Sequence, residues 1–285
     1  MIKSLKQAKA AIALLNPKEI RHRAERNIHL GLVASTPSAY TEMVDFLSPN
    51  GISRSLVHRA DDDAVPTTVD LVVYEHALDA PDGAYTFDRT NPSAMVQKIL
   101  KDHEDFALPL ANHFPSFRHQ VIDDIIQEVA RENAFFAIAT ALPNTVPNLV
   151  ELPWALGEFA SDTAFLTGNQ IRMAFLIAAA CGREPGLKGQ KGPILSIAAG
   201  AFGWRALARE LTGKIPLGGG LIPKGAIAYA GTFVAGKSLE LYYHGNRAAT
   251  RAQREAMYQE AYERGKGVAQ AWRRARNAVS EVAHR

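Results

Sequence analysis

Two places in the 285-residue chain have either the residue spacing or the strand–helix setting of a nucleotide-phosphate loop. A phosphate loop needs glycines, so that backbone N–H groups can approach the anion. It needs a lysine against the charge, a Ser or Thr hydroxyl for Mg²⁺, and a position between a strand and a helix. The first match is literal: Gly231, Gly236, Lys237 and Ser238 stand at the required spacing. Its context argues against it. The preceding residues, Gly225-Ala-Ile-Ala-Tyr-Ala, are small and helix-compatible rather than β-branched. Gly225, Ala228, Gly231 and Ala235 recur every three or four residues. That spacing gathers small groups on one helix face and lets helices pack closely. The expectation is a packing helix, with a nucleotide-binding loop as the competing reading.

The second place, Ala34-Ser-Thr-Pro-Ser-Ala39-Tyr40-Thr41, has the converse problem. An apolar run, Ile28-His-Leu-Gly-Leu-Val-Ala34, precedes it and reads as a buried strand. Pro37 and Ser38 then open a helix through Leu47. Both glycine positions are alanine, however, and the lysine position is Tyr40; Thr41 alone keeps a metal-type hydroxyl. Asp79-Ala-Pro-Asp82-Gly83 is a faint echo of a second GTPase motif, and no Asn-Lys-x-Asp base-reading motif is present.

These loops need elements to hold them. A second apolar run, 69–74, follows the charged turn Asp61-Asp62-Asp63, so strand, helix and strand form a small α/β unit. From Asn91-Pro92 onward the pattern is helical. Helices are expected to about His103, to His113, from Ser116 or Phe117 to Leu142, from Ser161 or Asp162 to Cys181 with Gly182 as stop, and from about Ala248 to Glu281. The fold class is therefore α+β and predominantly helical: a small, degenerate phosphate-loop-like α/β unit, then a helical domain with a Gly/Pro-bent hairpin. The boundaries are 1–26 for a basic helix, 27–110 for the α/β region, 111–245 for the helical domain and 246–285 for a second basic helix.

Composition narrows the function classes. An apolar fraction of 47% supports a sizeable core. The single cysteine, Cys181, excludes a disulfide framework or a cysteine zinc site, and its apolar surroundings predict a buried structural thiol. The nine histidines are scattered without metal-ligand spacing, so neither metal nor cofactor is expected. Of the net charge of +3, residues 1–26 and 245–285 contribute +5 each, leaving −7 on the body between. Two basic ends suit an anionic membrane surface. Nucleic acid is disfavoured because no recognised motif or interleaved aromatics accompany the charge.

No apolar run is long enough for a clean membrane span, and residues 133–150, the longest uncharged stretch, hold two prolines and three asparagines. The N-terminus lacks a secretory cleavage pattern. A cytoplasmic location is expected, reaching to the inner face of the cytoplasmic membrane. The hairpin turn is the candidate contact with a membrane, a protein partner or a second copy. It comprises Lys214, Pro216, Gly218, Gly219, Gly220, Pro223 and Lys224, with Trp204 and Arg205 nearby. Asp162, Asn169, Gln170 and Arg172 border an apolar helical stripe, which predicts either a buried polar network or a functional cluster.

Several segments together resemble the bacterial "domain of unknown function 697" family. They are Glu128-Val-Ala-Arg-Glu-Asn133, Thr140-Ala-Leu-Pro-Asn144, the stretch from Ser161 to Met173 around Asn169, Gln170 and Arg172, and Lys214-Ile-Pro216 with Gly218 to Gly220. The resemblance covers about residues 115–245. It implies a helical domain of the kind that often follows an Era-like GTPase domain, with some members membrane-associated. The lead from Asn16-Pro-Lys-Glu-Ile20 to Ala34 is similar to the entry of such a GTPase domain, which implies that 27–110 is a shortened, degenerate remnant. The family has no established activity, so no catalytic residue carries over; the expected function is a non-catalytic, membrane-associated helical interaction module with a degenerate nucleotide-binding region. The alternative is an NTP-binding, GTPase-related enzyme.

Overall fold

A computed structural model describes residues 16–60, 69–140, 162–186, 188–193, 221–245 and 247–283. The chain is α+β and predominantly helical, as the pattern predicts. It divides into two compact units. One takes in Lys18–Asp124 and Ala178–Pro185; the other takes in the described parts of Ile125–Ile177 and Gly186–Arg285. Two of the division points, after Asp124 and after Ile177, fall within helices.

In the first unit, α1 (Pro17–Ala24) leads to β1 (Leu30–Val33), α2 (Pro37–Leu47), β2 (Val57–Arg59), β3 (Leu71–Glu75) and β4 (Tyr85–Phe87). The four strands form one parallel sheet in the order β2-β1-β3-β4. All four residues of β1 are buried, as expected for a central parallel strand covered on both faces. Leu30 pairs with Val57 on one side and Leu71 on the other. Helix α2 starts where Thr36, in extended conformation, caps the Ala39 amide and Pro37 fills the first helical position. It buries Met43, Val44 and Leu47.

Strands β2 and β4 carry no signal in the sequence. Each has three residues and lies at a sheet edge, too short to show a two-residue period. The helices α3 (Pro92–Asp102), α4 (Ala107–His113) and the start of α5 (Pro115–Ala139) complete this unit. Met95, Val96, Ile99 and Leu100 form the buried stripe of α3.

The second unit holds the rest of α5, most of α6 (Asp162–Ala180), α7 (Leu221–Gly245) and α8 (Arg251–Ala283). Helices α7 and α8 pack along one another. Ala261, Gly265 and Ala269, four residues apart, form the small buried face of α8. Helix α6 ends as Gly182 predicts: its φ of +68° is the left-handed region glycine favours. The Arg183 amide donates to the Ala178 carbonyl and the Gly182 amide to that of Ala179, a Schellman stop. Cys181 lies at this helix end and is half-buried, not fully enclosed as its apolar run suggests, because the chain turns out of the core there.

Candidate functional site

The literal phosphate-loop match lies inside α7, an unbroken helix over Leu221–Gly245. This corrects the nucleotide-binding reading of Gly231, Gly236, Lys237 and Ser238. Amides committed to a helical ladder cannot converge on a phosphate. The chain's positive-φ glycines are Gly51, Gly83, Gly182 and Gly186 among the described residues, so neither Gly231 nor Gly236 forms an anion nest. The Lys237 ammonium lies 2.8 Å from a Glu240 carboxylate oxygen. The Ser238 hydroxyl donates to the Val234 carbonyl at 2.7 Å. Gly236 is there for packing: a Cβ on it would meet Ile126 Cγ1 at 2.6 Å and Met173 Sδ at 3.0 Å.

The other loop does have the strand–turn–helix setting. In the sheet order β2-β1-β3, strand order reverses at β1, and open parallel sheets bind ligands at the carboxyl ends of the strands flanking such a point. Here the turn between β1 and α2 is Ala34-Ser35-Thr36. Val33 pairs with Tyr74, which places Glu75 beside it. The Ser35 amide and hydroxyl both donate to Glu75 Oε2, at 2.8 and 2.6 Å. Thr36 Oγ1 takes the Ala39 amide, the Tyr40 amide bonds the Thr36 carbonyl, and Pro37 has no N–H to give. Most donors that would cradle a phosphate are thus satisfied by the protein itself.

Thr41 does not supply a metal-type hydroxyl at the start of this helix. It sits in the second turn, and its hydroxyl donates to the Pro37 carbonyl at 2.9 Å. Tyr40, at the lysine position, accepts from Arg54 Nη2 at 3.1 Å and lies under the guanidinium groups of Arg54 and Arg59. Glu75 carried no signal in the sequence, because only parallel pairing brings it to Ser35 across 40 residues.

The Ser35 hydroxyl, then its amide, hold the Glu75 carboxyl below the usual glutamate range. A depressed folded value means that this stabilisation is complete above the unfolded pKa. It is lost as pH falls through the folded one. Glu75→Gln is expected to reduce the difference in urea midpoint between pH 7 and pH 3. The change is at most about 1 kcal/mol because solvent screens this surface group.

In the helical unit, the polar residues beside the apolar stripe form a network joining α5, α6 and α7. Arg172 reaches Glu132 at 2.5 Å through Nη2, and Nε donates to Asn169 Oδ1 at 3.0 Å. The Asn169 amide donates to Glu132 at 2.8 Å and to Asn133 at 3.0 Å. Asn133 donates to Thr232 Oγ1 at 2.8 Å, and Gln170 does so at 3.3 Å. The Thr232 hydroxyl then donates to the Ala228 carbonyl at 2.9 Å. With two donors in and one out, its hydrogen-bonding capacity is full. Asn133 and Asn169 are completely buried. The closed wiring makes this a structural lock between helices rather than an open site.

The hairpin residues Trp204, Arg205, Lys214, Pro216, Gly218, Gly219 and Gly220 lie outside the described residues, as does Asp162's side chain. Pro223 is half-buried and Lys224 exposed in the first turn of α7. No described helix is long and apolar enough to cross a membrane. The described part of the basic N-terminal segment is partly neutralised: Arg21 pairs with Glu25 and Glu184, and Arg26 with Asp105. On α8, Arg273 and Arg274 are exposed beside the half-buried Trp272.

Comparison with known proteins brings no match: no family model, no curated protein and no solved structure corresponds to the chain.

Proposed function

We propose that this chain is a non-catalytic helical interaction module that associates with an anionic membrane surface, carrying a nucleotide-binding fold that has lost its phosphate loop. The resemblance to the helical family with an Era-like GTPase remnant belongs to this proposal. One observation carries it: at the switch point of the sheet, the Glu75 carboxylate occupies Ser35's amide and hydroxyl, where a bound phosphate would need donors. A nucleotide would have to displace an anion already fixed to the same turn.

Charge names the surface. Lys266 pairs with Glu263 at 2.6 Å, but between 267 and 280 the chain carries Arg273, Arg274 and Arg276 and no acid. Each basic residue near an anionic bilayer contributes about 1 kcal/mol. Arg273→Ala with Arg274→Ala should therefore lower partitioning roughly 30-fold, the equivalent of about 2 kcal/mol. The measurement is co-sedimentation of the full chain with phosphatidylserine vesicles against phosphatidylcholine vesicles at low and high salt. Equal pelleting with both lipids, or no loss in the double variant, would overturn the membrane assignment. In parallel, titration with GTP or ATP and Mg²⁺ should show no saturable binding. Tight binding lost in Lys237→Ala would restore the enzyme reading.

A further inference from the structure

Helix α4 ends on a histidine whose ring is only partly satisfied. His113 Nε2 is enclosed by the protein and has no hydrogen-bond partner among the described residues. Ser116 Oγ is enclosed and unpartnered as well, so it is not the missing acceptor. The ring meets the backbone of Arg26 and Glu25, in the linker between α1 and β1. It stands edge-on to the fully buried Phe114. The same linker is gripped just before α4 begins. Arg26 reaches Asp105 at 3.4 Å, and its guanidinium lies 4.8 Å from the Phe106 ring centre. The linker is therefore clasped from both ends of α4.

A neutral imidazole carries one proton, so the enclosed Nε2 can keep a bare lone pair. The imidazolium carries a proton on both nitrogens. Its second proton would sit on Nε2 with nothing to receive it, and a buried charged donor without an acceptor keeps its full desolvation penalty. Burial accordingly holds His113 below the ordinary histidine value of about 6.5. It outweighs the Arg26 and Glu25 backbone and the Glu25 carboxylate, all of which favour the charged ring. The other charged groups on the elements that pack here are engaged elsewhere. Arg21 pairs with Glu25 and Glu184, Asp105 with Arg26, and the Arg118 guanidinium donates to the Ala111 and Asn112 carbonyls. A depressed folded value means that the stabilisation is complete above the unfolded value and is lost as pH falls through the folded one.

We propose that His113 is a pH-sensitive latch: its neutral ring fastens the α1–β1 linker to α4, and protonation releases the linker so that Nε2 reaches water. The proton comes from solvent and no covalent bond changes. What opens is local. Ile20 and Ala24 keep α1 buried against its unit, and β1 stays paired with a strand on each side, so the linker moves between two fixed elements. Arg26 leaves Asp105 and Phe106 with it. In acid a cation next to the basic N-terminal segment is thereby set free. The other histidine of this region, His22, is exposed on α1 and has no such enclosure. The latch does not depend on the function proposed above.

The test is amide hydrogen exchange of the full chain, followed by NMR in neutral and in mildly acidic buffer and corrected for the intrinsic pH dependence of exchange. Two amides report on the linker: that of Glu25, which donates to the Arg21 carbonyl at 2.9 Å, and that of His29, which donates to Asp70 at 2.7 Å. In acid their protection should fall about tenfold, the linkage that one pKa unit supplies. The Ala60 amide, which donates to the Leu32 carbonyl of β1, should keep its protection. His113→Phe fills the space without titrating and His113→Gln keeps a polar group. In both, the difference between the two pH values should vanish, whereas His22→Gln leaves it intact. Because the readout is that difference, a variant that is looser at both pH values still decides. An NMR titration of the His113 ring should find it gaining its proton below the ordinary histidine range. An undiminished difference in the His113 variants, an equal loss at Ala60, or a ring that titrates at or above the ordinary range would overturn the latch.

Discussion

Arg172→Met is expected to lower the unfolding free energy by about 3 kcal/mol, measured as a fall in urea midpoint at unchanged slope. The reason is what stays behind. Arg172 and Glu132 retain only 19% and 15% of their side-chain exposure, so the carboxylate is largely removed from water. Without the guanidinium it keeps the Asn169 amide donor but has no compensating charge there, and Asn169 Oδ1 loses the Arg172 Nε donor. Deleting one member of a mostly buried ion pair costs more than the pair contributes, because the surviving charge keeps its desolvation penalty. The second half of the prediction follows from the same point. Glu132→Leu added to Arg172→Met should recover more than half of the loss. A double-mutant cycle then gives a coupling energy well above the few tenths of a kcal/mol seen for exposed helix pairs. Additive losses would mean that the two side chains do not act together.

This network shows how far the sequence could be read. Asn169, Gln170 and Arg172 stand beside an apolar stripe, and that placement predicts hydrogen bonds to another helix. The partners were not legible, because Glu132, Asn133 and Thr232 lie 36 to 99 residues from the groups they meet among these bonds. Helical starts and stops were legible for local reasons. Pro37, Pro92 and Gly182 act within a few residues of themselves. The edge strands β2 and β4 were not, since three-residue strands exist only through their neighbours. Glu75 depends on sheet register in the same way: no spacing along the chain announces it.

The glycines of α7 and α8 give the sharpest separation between a packing helix and a phosphate loop. Gly231→Ala should stabilise the protein by up to about 1 kcal/mol, the usual gain in a helix interior. Nothing among the described residues lies within 4 Å of the added methyl. Gly265→Ala should instead destabilise by about 2 kcal/mol after the same propensity gain, since overpacking costs about 1–3 kcal/mol and more where backbone must move. Its Cβ would stand 2.9 Å from Ala226 Cα and 3.1 Å from the Ala226 carbonyl oxygen, so α7 and α8 would have to separate. Gly236→Ala falls on the same side, against the fully buried side chains of Ile126 and Met173. A phosphate loop predicts another order: Gly231 and Gly236 would matter for ligand affinity together with Lys237, and Gly265 for neither. Thermal or urea unfolding of the three single variants therefore decides what these glycines do. Stabilisation at 231 with loss at 236 and 265 marks helix packing, whereas a destabilising Gly231→Ala would mean that this backbone needs glycine for its conformation.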